Sequence, residues 1–62
     1  MKYIAKLKYC RSKKEHEIIC STFGEAIEKC AEGVYNKAKI AIILKEGEGL
    51  NSGKFFLYQI IK

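Results

Sequence analysis

From Phe23 to Val34 the apolar side chains fall at Phe23, Ala26, Ile27, Cys30, Ala31 and Val34. Steps of three and four residues draw one continuous stripe along a helix. The remaining apolar segments alternate, or are apolar throughout, in the manner of strands. A chain with one such helix and several strands hides its apolar surface by laying the helix on a sheet. One helix of this length covers one face of that sheet and leaves the other bare.

The helix has a start signal. Thr22 followed three residues later by Glu25 is a capping box, in which hydroxyl and carboxylate each satisfy a free backbone N–H. Gly24 weakens the first turn by up to about 1 kcal/mol relative to alanine. Gly33 suits the left-handed position that closes a helix, with Val34 folding back on Cys30 as the apolar contact of the cap. Glu25, Glu28, Lys29 and Glu32 take the outer side.

Residues 2–10 alternate, with Tyr3, Ala5, Leu7 and Tyr9 on one parity and Lys2, Lys6, Lys8 and Cys10 on the other, Ile4 being the apolar intruder. Beyond the polar cluster Arg11-Ser12-Lys13-Lys14, residues 15–21 set His16, Ile18 and Cys20 against Glu15, Glu17, Ile19 and Ser21. This pattern predicts a hairpin. An even loop centred between Ser12 and Lys13 pairs Leu7 with Ile18, Tyr9 with His16, Ala5 with Cys20 and Lys8 with Glu17, so that apolar meets apolar. After the helix, residues 38–46 alternate Ala38, Ile40, Ile42 and Leu44 against Lys39, Ala41, Ile43 and Lys45, and the isoleucines favour a strand. The second set is expected to face away from the helix. Glu46 to Gly53 is a flexible, turn-rich loop. Residues 54–61 form a fourth strand that is apolar on both parities, so its inward side is either Phe56, Tyr58 and Ile60 or Phe55, Leu57 and Ile61.

The expected architecture is α+β, a single ββαββ domain over residues 1–62. A four-stranded antiparallel sheet in the order 2-1-3-4 carries the helix on one face, which keeps all neighbours antiparallel and the crossover right-handed. A 62-residue domain buries only about 60% of the surface of its unfolded chain, so additional burial is expected from outside this core. The longest apolar run, Ile40 to Leu44, is far short of the roughly 20 residues of a membrane helix. The lysine-rich start lacks the apolar segment of a signal peptide. The expected compartment is the cytoplasm, with Cys10, Cys20 and Cys30 as reduced thiols.

Twelve basic and seven acidic residues give a net charge of +5, distributed unevenly. Residues 1–14 hold six basic and no acidic side chains, whereas residues 15–32 hold five glutamates against Lys29. The acidic helix would repel phosphate, which disfavours a groove-reading helix. The basic residues Lys2, Lys6, Lys8, Lys39 and Lys45 are expected to form a stripe on the outward side of strands one and three, joined by Arg11, Lys13 and Lys14 at the hairpin tip. Ile4, Ile19, Ala41 and Ile43, with Phe55 and Leu57, are expected to make an apolar patch on the same open face, and such patches mark contact surfaces.

Chemistry of other kinds finds little support in the residues. Cys10 falls on the opposite sheet face from His16 and Cys20, and the spacings lack paired ligand knuckles, so no metal is expected. Cys20 and Cys30 sit at core positions, where a thiol stays protonated. The glycines from Gly47 to Gly53 lead into a strand rather than a helix and are flanked by Glu46 and Glu48, unlike a phosphate cradle. Neither catalytic residues nor a cofactor are expected, and the chain reads as non-enzymatic. Two functions compete. One is a small regulator or inhibitor that docks a protein or nucleoprotein partner, or a second copy as a homodimer, through the open face. In size and composition it resembles phage and mobile-element products of the anti-defence, anti-CRISPR type. The other is a basic nucleic-acid-binding module working through the first hairpin and strands one and three.

Overall fold

The computed structural model describes residues 2–10 and 15–62. Strands β1 (Tyr3–Tyr9) and β2 (Glu15–Cys20) precede helix α1 (Phe23–Tyr35), and β3 (Ala38–Glu46) and β4 (Phe55–Ile60) follow it, with a single 3-10 turn at Gly49–Asn51. The strands form one sheet in the order β2-β1-β3-β4, with all neighbours antiparallel. The helix lies across one face of this sheet, against β1, β2 and β3, so the fold is the expected ββαββ arrangement.

The capping signal works with one change of partner. Thr22 Oγ1 accepts from the Glu25 N–H at 3.1 Å, while the Glu25 carboxylate reaches one residue past the cap to the Ser21 N–H at 3.4 Å. The far end corrects the expectation for Gly33. The helix continues to Tyr35 and is capped at Asn36, and Lys37 takes the left-handed conformation at φ 67°. Gly33 lies inside the helix and is buried. A methyl group there would stand 2.7 Å from both terminal carbons of Leu7, so this glycine serves a close approach of helix to sheet. Ala31, counted in the stripe, is exposed, and Gly33 takes its place on the buried side.

That close approach sets the core. The buried positions of the helix are Ala26, Cys30 and Gly33, all small, and the sheet meets them with Ala5, Leu7, Cys20, Ala41 and Ile43. Among the largest fully buried side chains, Ile43 stands beside the two cysteines. There is room for one large β3 residue under the helix, which overturns the expected parity of that strand. Tyr3, Ala5 and Leu7 pair with Lys45, Ile43 and Ala41, and these pairs share the helix side. The register shifts between Lys8↔Ile40 and Tyr9↔Ala38, leaving Lys39 as an extra residue in β3. Such a bulge resets parity, so Ala38 joins Ala41 on the covered side while Ile40, Ile42 and Leu44 turn to the open one.

A second bulge explains why β4 has no legible parity. Ile43 pairs with Gln59 but Leu44 with Leu57, leaving Tyr58 extra. Leu57 and Ile60 therefore share the open side although three residues apart. Tyr58 turns toward the helix side, where its ring meets Tyr3 at 5.9 Å and Phe23 at 5.3 Å. In the first hairpin the parity holds but the pairing slides by two. Ala5 pairs with Ile18, Leu7 with His16 and Lys8 with Glu15, in place of Cys20, Ile18 and Glu17. The β3–β4 loop is more ordered than its glycines suggest. Gly47 and Lys54 close it at 2.9 Å, and the Gly53 N–H donates to the Glu46 carboxylate at 3.1 Å.

Candidate functional site

The side of the sheet away from α1 is the candidate site, and its composition follows from the registers. Outward from β1 come Ile4, Lys6 and Lys8, and from β2 Glu15, Glu17 and Ile19. β3 adds Ile40, Ile42 and Leu44, and β4 adds Phe55, Leu57 and Ile60. Ile19 is 67% exposed, Leu57 58% and Ile60 63%. Ile4, central on this face, is already buried by its neighbours, and Ile42 and Leu44 are half-buried. Eight large apolar side chains thus form a continuous field across all four strands. A patch of this extent is larger than scattered surface hydrophobes require.

Among the described residues one ion pair forms on this face. Lys6 stands opposite Glu17 and Lys8 opposite Glu15, and the Lys6 ammonium lies 2.9 Å from the Glu15 carboxylate across the diagonal. The hydrogen bond and charge of Glu15 raise the Lys6 pKa, and the same contact holds Glu15 below the ordinary carboxylate range. The pair is exposed, so it adds little stability. At the opposite end, the Lys2 carbonyl accepts from the Glu46 N–H, and alternation puts their two side chains on this same face. Among the described residues, Lys2, Lys6, Lys8 and, by alternation from Ile61, Lys62 stand with Glu15, Glu17 and Glu46 on this face, so it carries far less net charge than the chain as a whole. A shallow hollow of about 170 Å³ lies between Lys6, Lys8, Glu15, Ile40 and Ile42. It is smaller than the ~300 Å³ at which small-molecule sites begin, whereas a hollow of about 380 Å³ at the β3–β4 end is lined by Glu46, Phe56, Leu57 and Tyr58.

Of the residues expected in the apolar patch, Ile4, Ile19, Phe55 and Leu57 lie on the open face. Ala41 and Ile43 do not: both are fully buried beneath α1, because the bulge at Lys39 reverses the strand and the helix accepts only small neighbours there. The lysine stripe also does not assemble. Lys2, Lys6 and Lys8 share the open face, but Lys45 is on the helix side with its ammonium 5.3 Å from the centre of the Tyr58 ring. Lys39 is exposed at the bulge. Arg11, Lys13 and Lys14 lie outside the described residues. Ile40, Ile42 and Leu44 were missed as open-face residues. The signal that finds them is size, since the β3 positions on the covered side include the fully buried Ala38 and Ala41 while the larger Ile40, Ile42 and Leu44 lie opposite.

The other reactive side chains lie elsewhere. Cys20 and Cys30 are buried on the covered face, and burial raises both thiol pKa values above the ordinary 9.0. Their Sγ–H groups contact the carbonyls of Ile18 and Ile42 at 3.6 and 3.7 Å. Cys10 is exposed beyond the end of β1. His16 stands edge-on to Tyr9 with ring centres 5.4 Å apart, although its cross-strand partner is Leu7 rather than the expected Tyr9. No helix among the described residues is long and apolar enough to cross a membrane. No family model matches the chain, and neither curated proteins nor solved structures show significant similarity to it.

Proposed function

We propose that this chain is a non-enzymatic, cytoplasmic protein-binding module, a small regulator or inhibitor that docks a protein surface with the open face of its sheet. The observation that carries the reading is the placement of large apolar side chains. The covered core joins Ala5, Leu7, Cys20, Ala41 and Ile43 of the sheet to the helix with Tyr3, Ile18, Phe23, Ile27 and Ile61 around it, yet Ile19, Ile40, Ile42, Leu44, Leu57 and Ile60 still point away from the helix. Leaving so many large apolar side chains on an uncovered face costs solubility and leaves hydrophobic stabilisation unused, unless a second surface covers it.

The charge pattern favours protein over nucleic acid as the occupant. Phosphate binding draws on a positive surface. Here Lys6 is engaged by Glu15, the described part of the face carries Glu15, Glu17 and Glu46 among its lysines, and Lys45 is turned to the other side. Sheet-face docking on a protein instead uses an apolar centre with a polar margin, which is the distribution found here.

The test is a pull-down from the source cell with the wild-type chain and with Leu57→Glu, each with and without nuclease. A protein retained by wild type after nuclease treatment and lost with Leu57→Glu supports the reading. Retention that depends on intact nucleic acid and ignores the Leu57 substitution would point to the basic residues and overturn it.

A further inference from the structure

We infer that the occupant of the open face is a second copy of this chain, packed sheet against sheet about a two-fold axis. The inference rests on the docking role proposed for that face and names its partner.

Area is the first argument. Four strands at ~4.8 Å spacing and six to nine residues at ~3.3 Å give a face of roughly 20 by 25 Å. That is about 500 Å² per partner, or about 1,000 Å² in total, which reaches the lower bound of a specific interface. Face-to-face packing of two sheets is a standard way to bury such surfaces, with side chains from the two inner faces interdigitating.

Charge is the second. Two copies of a protein at +5 repel each other overall, yet among the described residues the surfaces that would meet carry Lys2, Lys6, Lys8 and Lys62 with Glu15, Glu17 and Glu46, a near balance. The face is self-compatible in charge. Its ionic groups sit at the β1–β2 corner, at the Lys2–Glu46 end and, with Lys62, just beyond β4, leaving Ile4, Ile42, Leu44 and Leu57 to form a centre without charges. An isologous contact requires a patch complementary to itself, and an apolar centre with balanced margins meets that condition.

Availability is the third. The small covered core leaves the fold in need of further burial, and the partner present whenever the chain is made is another copy. A foreign protein that uses the same face then competes with self-association.

Sedimentation equilibrium of the purified chain from micromolar to millimolar concentration tests the inference, with Leu57→Glu and Ile60→Lys as variants and Tyr35→Lys, on the exposed side of α1, as control. Circular dichroism checks that each is folded. The expected result is twice the 7.1 kDa protomer mass for wild type and Tyr35→Lys, and a single protomer mass for the two open-face variants. Should those variants fail to fold, a wild-type mixture of isotope-labelled and unlabelled copies replaces them. Intermolecular NOEs among the methyl groups of Ile42, Leu44 and Leu57 are then expected. Intermolecular contacts confined to other surfaces would overturn the inference. A wild-type monomer that binds a hydrophobic dye, with binding lost in Leu57→Glu, refutes the second copy but keeps the docking face. A monomer that binds no dye removes both.

Discussion

Under α1 the sheet presents Ala5, Leu7, Cys20, Ala38, Ala41 and Ile43, while its other side presents Ile4, Ile19, Ile40, Ile42, Leu44, Phe55, Leu57 and Ile60. Both faces are apolar, yet they solve different problems. The covered face is made thin so that a helix with Ala26, Cys30 and Gly33 on its underside can settle closely onto it. Close packing of small residues gives a rigid contact with modest area, since a buried alanine removes far less surface from water than a buried isoleucine. The open face is made of the residues with most to gain from burial. The helix backs one face of the sheet, and the face that it does not touch carries Ile19, Leu57 and Ile60 well exposed.

Adjacent residues Ile42 and Ile43 sharpen this comparison most, because they point to opposite faces. Ile43→Ala is expected to cost about 3 kcal/mol in denaturant unfolding, as for a fully buried side chain whose cavity cannot collapse. Ile42→Ala is expected to cost about 1 kcal/mol in the isolated protomer, matching its partial burial. Equal losses would mean that the faces are not distinguished as described. Gly33→Val probes the thinness of the covered face. The new side chain meets the Leu7 methyl groups, and a loss of about 2 kcal/mol is expected from overpacking. A neutral result would show that helix and sheet stand farther apart.

Thr22→Ala removes the hydroxyl that accepts from Glu25 and should lower stability by about 1 kcal/mol, read as a lower midpoint of thermal unfolding. The substitution loosens the roof without touching the open face, so dye binding or self-association at a temperature where the protein stays folded should not change.

The smallest effect concerns the open-face ion pair. Glu15 has its pKa lowered by Lys6, so its contribution to stability is present above the ordinary carboxylate pKa. It is lost as pH falls through the lowered folded-state value, because the unfolded chain takes up the proton first. Comparing acid unfolding of wild type and Glu15→Gln should show a slight flattening of the pH dependence in the variant. A large change would assign the corner a structural weight that its exposure argues against.

Much of this architecture can be read from residue patterns, and the places where reading fails have a common cause. The helix start follows from Thr22 and Glu25, the hairpin parity from Tyr3, Ala5 and Leu7, and the bare face from the presence of one helix. The sidedness of β3 and β4 does not follow, because Ile40 to Leu44 and Phe55 to Ile61 are apolar at both parities and alternation carries no information there. The bulges at Lys39 and Tyr58 then decide which residues turn outward, and bulges arise from tertiary fit. Gly33 misleads for a related reason. A glycine near a helix end suits a cap, but here its missing side chain is used by Leu7. The two-residue slide of the hairpin leaves every side chain on its expected face, so hydrophobic pattern alone cannot detect it.

The most direct test of two faces with separate roles is methyl accessibility to a soluble paramagnetic probe, followed by NMR across a dilution series. The account predicts that Ile43 stays protected at every concentration, whereas Ile42, Leu44, Leu57 and Ile60 are shielded in concentrated solution and become accessible on dilution. Strong relaxation at Ile43, or permanent shielding of Leu44 and Leu57 in the dilute protomer, would contradict it.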